Sequence, residues 1–159
     1  MPASVGAWSL SIIGLFNIAG SLSNGKIVQR VPMRYALAAI YFVRAPMILA
    51  FVLAPKTQAV FFAFAAGIGL TYLSTVPPTA GLVARLLGTR YLATLFGTVM
   101  LSHQVGGFLG AWLGGKAFEA SRSYDWMWLA DIALCLFAAL IHLPIREARA
   151  VPATAASRA

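Results

Sequence analysis

The segment Tyr91 to Gly115, YLATLFGTVMLSHQVGGFLGAWLGG, is apolar along its whole length and carries small residues at a helical repeat. Gly106, Gly110 and Gly114 fall at successive i+4 positions, with Gly107 and His103 beside them. In lipid there is no hydrophobic drive between helices, so association rests on close van der Waals contact and interhelical hydrogen bonds. A stripe of small residues lets a neighbouring backbone approach. The same segment holds Thr98, Ser102, His103 and Gln104, polar groups that a bilayer penalises. It reads as a membrane helix whose faces meet protein or an internal cavity, with partners supplied by the rest of the chain.

The composition points the same way. The 159 residues are 60% hydrophobic and only 10% charged, with a mean hydropathy of +0.82, whereas soluble domains are about a quarter charged. The net charge is +8, but the basic residues stand singly between apolar runs. They read as topology signals rather than as a nucleic-acid surface. The lone cysteine, Cys135, lies in an apolar run and implies neither a disulfide framework nor a metal set. The start, MPASVGAWSL, has no basic residue before the first apolar run, so no signal peptide is assigned.

Five apolar spans are predicted, over residues 5–23, 35–53, 59–83, 91–115 and 126–143, giving an all-α membrane protein. Gly14, Asn17 and Ser21 lie close to one face of the first span. A basic loop, NGKIVQRVPMR, follows it, and Pro55 ends the second span. In the third, a polar patch of Thr71, Tyr72, Ser74 and Thr75 precedes Pro77 and Pro78, which remove backbone donors and kink the helix. Residues 147–159 are small and polar and read as a disordered tail.

Five crossings place the connections alternately on two sides. One side holds Lys26, Arg30, Arg34, Arg85, Arg90, Arg146, Arg149 and Arg158; the other holds Lys56, Lys116 and Arg122. Eight against three puts the C-terminus in the cytoplasm of an inner-membrane protein and the N-terminus outside. A translocated N-terminus ahead of a helix weakened by Ser9, Ser11, Asn17 and Ser21 is a poor independent start. The chain reads as the back portion of something longer.

Three stretches resemble the major facilitator superfamily of secondary transporters. GSLSNGKIVQRVPMR, Gly20 to Arg34, is similar to the glycine and basic loop that joins the second and third helices of each six-helix half, with Gly20, Asn24, Arg30 and Arg34 at its marked positions. Asn24 stands where the family pattern usually has an aspartate, which removes the carboxylate of the charge relay attributed to that loop. GGFLGAWLGG, Gly106 to Gly115, resembles the glycine-rich end of the penultimate helix of the C-terminal half. Thr75 to Gly97 looks like the tenth helix, the cytoplasmic turn and the start of the eleventh in the monocarboxylate-transporter-like and oxalate/formate-antiporter-like branch. The resemblance implies that the spans are helices eight to twelve of twelve, part of a C-terminal bundle.

A carrier of this kind needs a cavity near the bilayer midplane. The resemblance implies that the first, third and fourth spans line it and that the second and fifth support it from outside. Asn17, Thr71, Thr75, His103 and Gln104 all sit on those three spans and are the candidate solute pathway. The plainer alternative is that the hydroxyls back-bond to their own helix and the amides join two helices. His103 fits either proton coupling or a buried, neutral, hydrogen-bonded place in a helix contact.

Arg44 and Asp131 are the ionisable groups deepest in spans, expected about 12 to 15 Å from the nearer end. Arg44 either attracts an organic anion or has a structural role, pairing with Asp131 or with carbonyls, or reaching water. Trp8, Tyr41, Tyr124, Trp126 and Trp128 read as interface anchors.

Nothing points to an enzyme, a cofactor or a metal. His103 and His142 lie on separate spans, no HExxH or paired cysteines occur, and the Gly67 to Gly69 GIG lacks the context of a dinucleotide fingerprint. Two functions remain. One is carriage of a small solute, for instance a monocarboxylate, by a chain that needs an N-terminal-half polypeptide or a second copy to complete it. The other is a non-transporting membrane protein whose glycine stripe binds other helices.

Overall fold

A computed structural model describes residues 3–147. Its helices are α1 (Ala3–Ile27), α2 (Met33–Leu53), α3 (Gln58–Tyr72), α4 (Val76–Leu87), α5 (Leu92–Ser121) and α6 (Asp125–His142), with one 3-10 turn, Leu73–Thr75, between α3 and α4. No strand occurs among the described residues. Since α3, the turn and α4 form one continuous rod, five helices are long and apolar enough to cross a membrane. The chain is an integral membrane protein of all-helical fold. Of the tail expected to be disordered, residues 148–159 fall outside the described residues.

The helices outrun the apolar spans at several ends. α1 continues to Ile27, so Gly20 and Asn24, expected in a loop, are in fact helical and buried. The reason is packing: that last turn lies against the break in the third span. α5 reaches Ser121 because Lys116 and Glu119, 3.4 Å apart at i,i+3, carry the helix beyond its apolar run. Asp131 lies six residues into α6, about 9 Å from its start, shallower than expected.

α1 and α3 run side by side in the same direction, and small residues set their spacing. Gly20 packs against the Leu70 carbonyl, and an added Cβ at Gly69 would stand 2.7 Å from Ile13 O and 2.8 Å from Phe16 Cβ. α2 and α6 form the second pair, running in opposite directions: Tyr41 stacks on His142 with ring centroids 5.5 Å apart. At the other end Phe51 stacks on Phe64 at 4.0 Å and meets Trp128 edge-on at 5.4 Å. Tyr41 and Trp128, expected as interface anchors, are thus packing residues. Ala45, Ile48 and Cys135 form the buried centre between the pairs, with Phe64 and Ile68 of α3 against it.

Helix ends are closed by identifiable groups. Lys56 Nζ donates to Phe51 O at 2.5 Å and Val52 O at 3.1 Å, satisfying carbonyls left free at the end of α2. Gly88, at φ +80°, ends α4. Arg122 occupies the equivalent left-handed position after α5 at φ 56°, where a Cβ is strained. Arg122→Gly is therefore expected to stabilise the protein by about 0.5–1 kcal/mol, read as a raised Tm in detergent.

α5 is the least attached helix. Gly114 is its one buried residue, in ordinary contact with Met127, whose Cε would lie 3.5 Å from an added Cβ. Near the α5–α6 turn Phe118 stacks on Tyr124 at 4.7 Å. Nothing stands within 4 Å of an added Cβ at Gly106, Gly107 or Gly110. The close approach sought from that stripe occurs instead at Gly20 and Gly69.

Candidate functional site

The site is the break in the third span, about 20 Å from either end of the rod at 1.5 Å per residue. Its cause is Pro77 and Pro78. Neither has an N–H, so the carbonyls four residues back, Leu73 O and Ser74 O, lose their helical donors. In a bilayer no water replaces them, and each orphaned backbone group must find protein.

One of the two carbonyls is met within the turn and the other from α1, and side chains of α1 and α2 add contacts to neighbouring backbone groups. Leu73 O accepts from Val76 N within the 3-10 turn. Ser74 O accepts from Asn24 Nδ2 of α1, with Asn24 and Ser74 only 5% and 4% exposed. Asn17 Oδ1, also on α1, accepts from Leu73 N at 3.2 Å. Arg44 of α2 donates through Nη2 to Thr71 O at 2.6 Å. The break is thus clasped from both sides, and each contact is a side chain serving a backbone group.

The hydroxyls turn back on their own helix. Thr71 Oγ1 donates to Gly67 O or Ile68 O at 3.1 and 3.2 Å, Thr75 Oγ1 to Tyr72 O at 3.2 Å, and Ser74 Oγ to Leu70 O. Asn17 thus reaches the break from α1, while Thr71 and Thr75 lie beside it on the rod itself. His103 approaches from α5, its ring 6.4 Å from that of Tyr72 and edge-on to it. His103 is exposed rather than sealed in a helix contact. Gln104 is also exposed and makes no side-chain hydrogen bond among the described residues.

The two intramembrane charges separate. Arg44 does not pair with Asp131; it takes the Thr71 carbonyl and the face of Tyr41, 5.4 Å from the ring centroid. Its Nε is buried without a partner. Asp131 is exposed, with Oδ1 4.0 Å from Cys135 Sγ. It lines a groove of about 570 Å³ between α5 and α6.

A second polar cluster lies at the end of the bundle where α2 begins. Glu147, with its side chain 8% exposed, accepts from Arg34 N at 2.7 Å and from Arg85 Nη1 at 3.1 Å, while Arg34 Nη1 donates to Ile145 O at 2.8 Å. One carboxylate thus caps α2 and ties it to the last turn of α4. Arg34 belongs to this cluster; Arg30 is exposed and outside it. Reading residue 147 as tail missed Glu147, although an acidic residue in IREARA, beside the basic ends of the spans, was a usable signal. Glu147→Ala is expected to lower stability by about 1 kcal/mol, discounted for the 40% exposure of the Arg85 side chain. The check is thermal unfolding in detergent.

The described residues hold no group of three or more His, Cys, Asp or Glu side chains suited to a metal ion. No family model matches the chain. No solved structure matches it either. Among curated proteins it is similar to the uncharacterized MFS-type transporter YcxA of Bacillus subtilis (strain 168), with 26% identity over 132 residues, covering 80% of this chain. The chain spans 31% of the length of that relative. The similarity supports the resemblance to the major facilitator superfamily.

Proposed function

We propose that this chain is the C-terminal part of a secondary carrier, its five spans corresponding to helices eight to twelve of the monocarboxylate-transporter-like and oxalate/formate-antiporter-like branch. It moves a small solute, a monocarboxylate or another organic anion, by alternating access across the cell membrane, with its C-terminus in the cytoplasm. The observation that carries this reading is the break at mid-depth in the third span. Carriers of this kind build their sites near the midplane, where interrupted helices present backbone ends to a cavity. Asn17, Thr71 and Thr75 make their hydrogen bonds within a few residues of that break, His103 of α5 stands edge-on to Tyr72 beside it, and with Gln104 these are the residues assigned here to the pathway. YcxA, named as a transporter, supports carriage in general.

Half a cavity cannot alternate, so activity needs a second half: an N-terminal-half polypeptide or another copy of this chain. The test is uptake of labelled small carboxylates into proteoliposomes containing the chain with and without the segment encoded upstream, in the presence of a pH gradient. Uptake that needs both parts is the expected result. A flat signal for every carboxylate with both parts present would overturn the reading.

The open stripe at Gly106, Gly107 and Gly110 favours a second reading, a non-transporting protein that packs against other helices. A clean intergenic region upstream of Met1 would support it. An adjoining run encoding about seven further apolar spans supports the carrier.

A further inference from the structure

We infer that Lys26 and Arg30, at the end of α1, form a seat for the phosphate of an anionic phospholipid in the leaflet that meets that end of the bundle. The seat needs only a chain that spans a membrane, so it stands apart from the carrier reading.

Lys26, Ile27, Gln29 and Arg30 line a groove of about 490 Å³, and both cationic side chains are exposed. Basic side chains at a helix C-terminus commonly serve its last carbonyls, but here other donors do so. Asn24 O, Lys26 O and Ile27 O accept from the backbone N–H groups of Val28, Gln29 and Arg30 at 3.0, 3.3 and 2.9 Å, and Gly25 O accepts from Gln29 Nε2 at 3.3 Å. The two cationic heads are left over.

Nor does the chain neutralise them. Of its four acidic side chains, Glu119, Asp125 and Asp131 lie toward the opposite end, on α5 and α6. Glu147 is at this end, but Arg34 N and Arg85 Nη1 occupy it. Asn24, which stands where the loop pattern has a carboxylate, turns its amide to Ser74 O. No ion pair or side-chain hydrogen bond among the described residues includes Lys26 or Arg30.

The countercharge therefore comes from outside, and the adjoining surface says from what. Leu22, one turn back from Lys26 on the same face, is 67% exposed, and Ile27 within the groove is 48% exposed. A free anion matches only the charges. A lipid matches both features, its phosphate between two cations at the interface and its acyl chains over Leu22 and Ile27.

The test places a bimane label on Val31→Cys in the Cys135→Ala background, with the full chain in phosphatidylcholine vesicles. The quenchers are brominated phosphatidylglycerol and brominated phosphatidylcholine, each added at low mole fraction. At low ionic strength phosphatidylglycerol is expected to be preferred about tenfold at this position. Lys26→Gln combined with Arg30→Gln should abolish the preference, while Arg90→Gln, exposed at the same end but outside the groove, keeps it. Lys26→Arg should keep it as well. Equal quenching by the two lipids without these substitutions would overturn the inference. So would a loss as large in Arg90→Gln as in the double variant, which assigns the preference to the general positive charge of that end. A preference abolished by millimolar glycerol phosphate would assign the groove to a free anion and overturn the lipid. The readout is lipid contact, so a failure of uptake and a failure here are separate results.

Discussion

Leucine at Gly20 is expected to break the α1–α3 pair and leave no monodisperse protein in mild detergent, while leucine at Gly106 changes nothing measurable in the chain alone. A Cβ at Gly20 would stand 2.6 Å from Ser74 Oγ and 2.8 Å from the Leu70 carbonyl carbon, and it would collide with the Leu70 oxygen. Backbone atoms cannot swing aside as a side-chain tip can. Overpacking of this kind costs about 1–3 kcal/mol where side chains can adjust, and here the helices must separate instead. Separation also pulls Asn17 and Asn24 away from Leu73 and Ser74, so the break loses its partners as well. Gly106 has open space on the same criterion. The check is size-exclusion and thermal unfolding of the two variants side by side.

The second large effect concerns the clasp itself. Asn24→Leu leaves Ser74 O without a donor, and Arg44→Leu removes the side-chain donor of Thr71 O. An unsatisfied buried carbonyl costs about 1–3 kcal/mol, and lipid supplies no water to offset it. Asn24→Asp is the sharper variant. It introduces the residue usual in the loop pattern that this stretch resembles, yet an ionised carboxylate presents only acceptors to the Ser74 carbonyl. The expected order of stability is wild type, then Asn24→Gln, then Asn24→Leu, with Asn24→Asp least stable at neutral pH. If Asn24→Asp matched the wild-type melting temperature, the role assigned to this amide would be wrong.

These sites show which parts of the molecule are legible in one dimension. The five crossings are, because length and apolar content decide them, and the ends differ only where polar turns such as Lys116 to Ser121 prolong a helix. The double proline announces a fault in the third span. What repairs that fault is not legible: Asn24 and Ser74 are 50 positions apart, and Asn24 sits in a stretch whose basic composition reads as loop. Glycine spacing has the same limit. The repeat at Gly106, Gly110 and Gly114 is the more regular, yet Gly20 and Gly69, in different spans, are the residues that let two backbones meet. For Arg44 the sequence offered an organic anion, a carboxylate, carbonyls or water, and in the structure it donates to a carbonyl beside the break.

Central to the proposed function is that these five rods thread a bilayer with their basic ends on one side. Single cysteines at Thr57 and Ser123, and at Gln29 and Thr89, each in the Cys135→Ala background, test that arrangement with a membrane-impermeant maleimide on intact cells. Labelling is expected at 57 and 123 from outside, and at 29 and 89 only after the membrane is opened. Labelling of 29 and 89 in intact cells, or of all four positions alike, would contradict it.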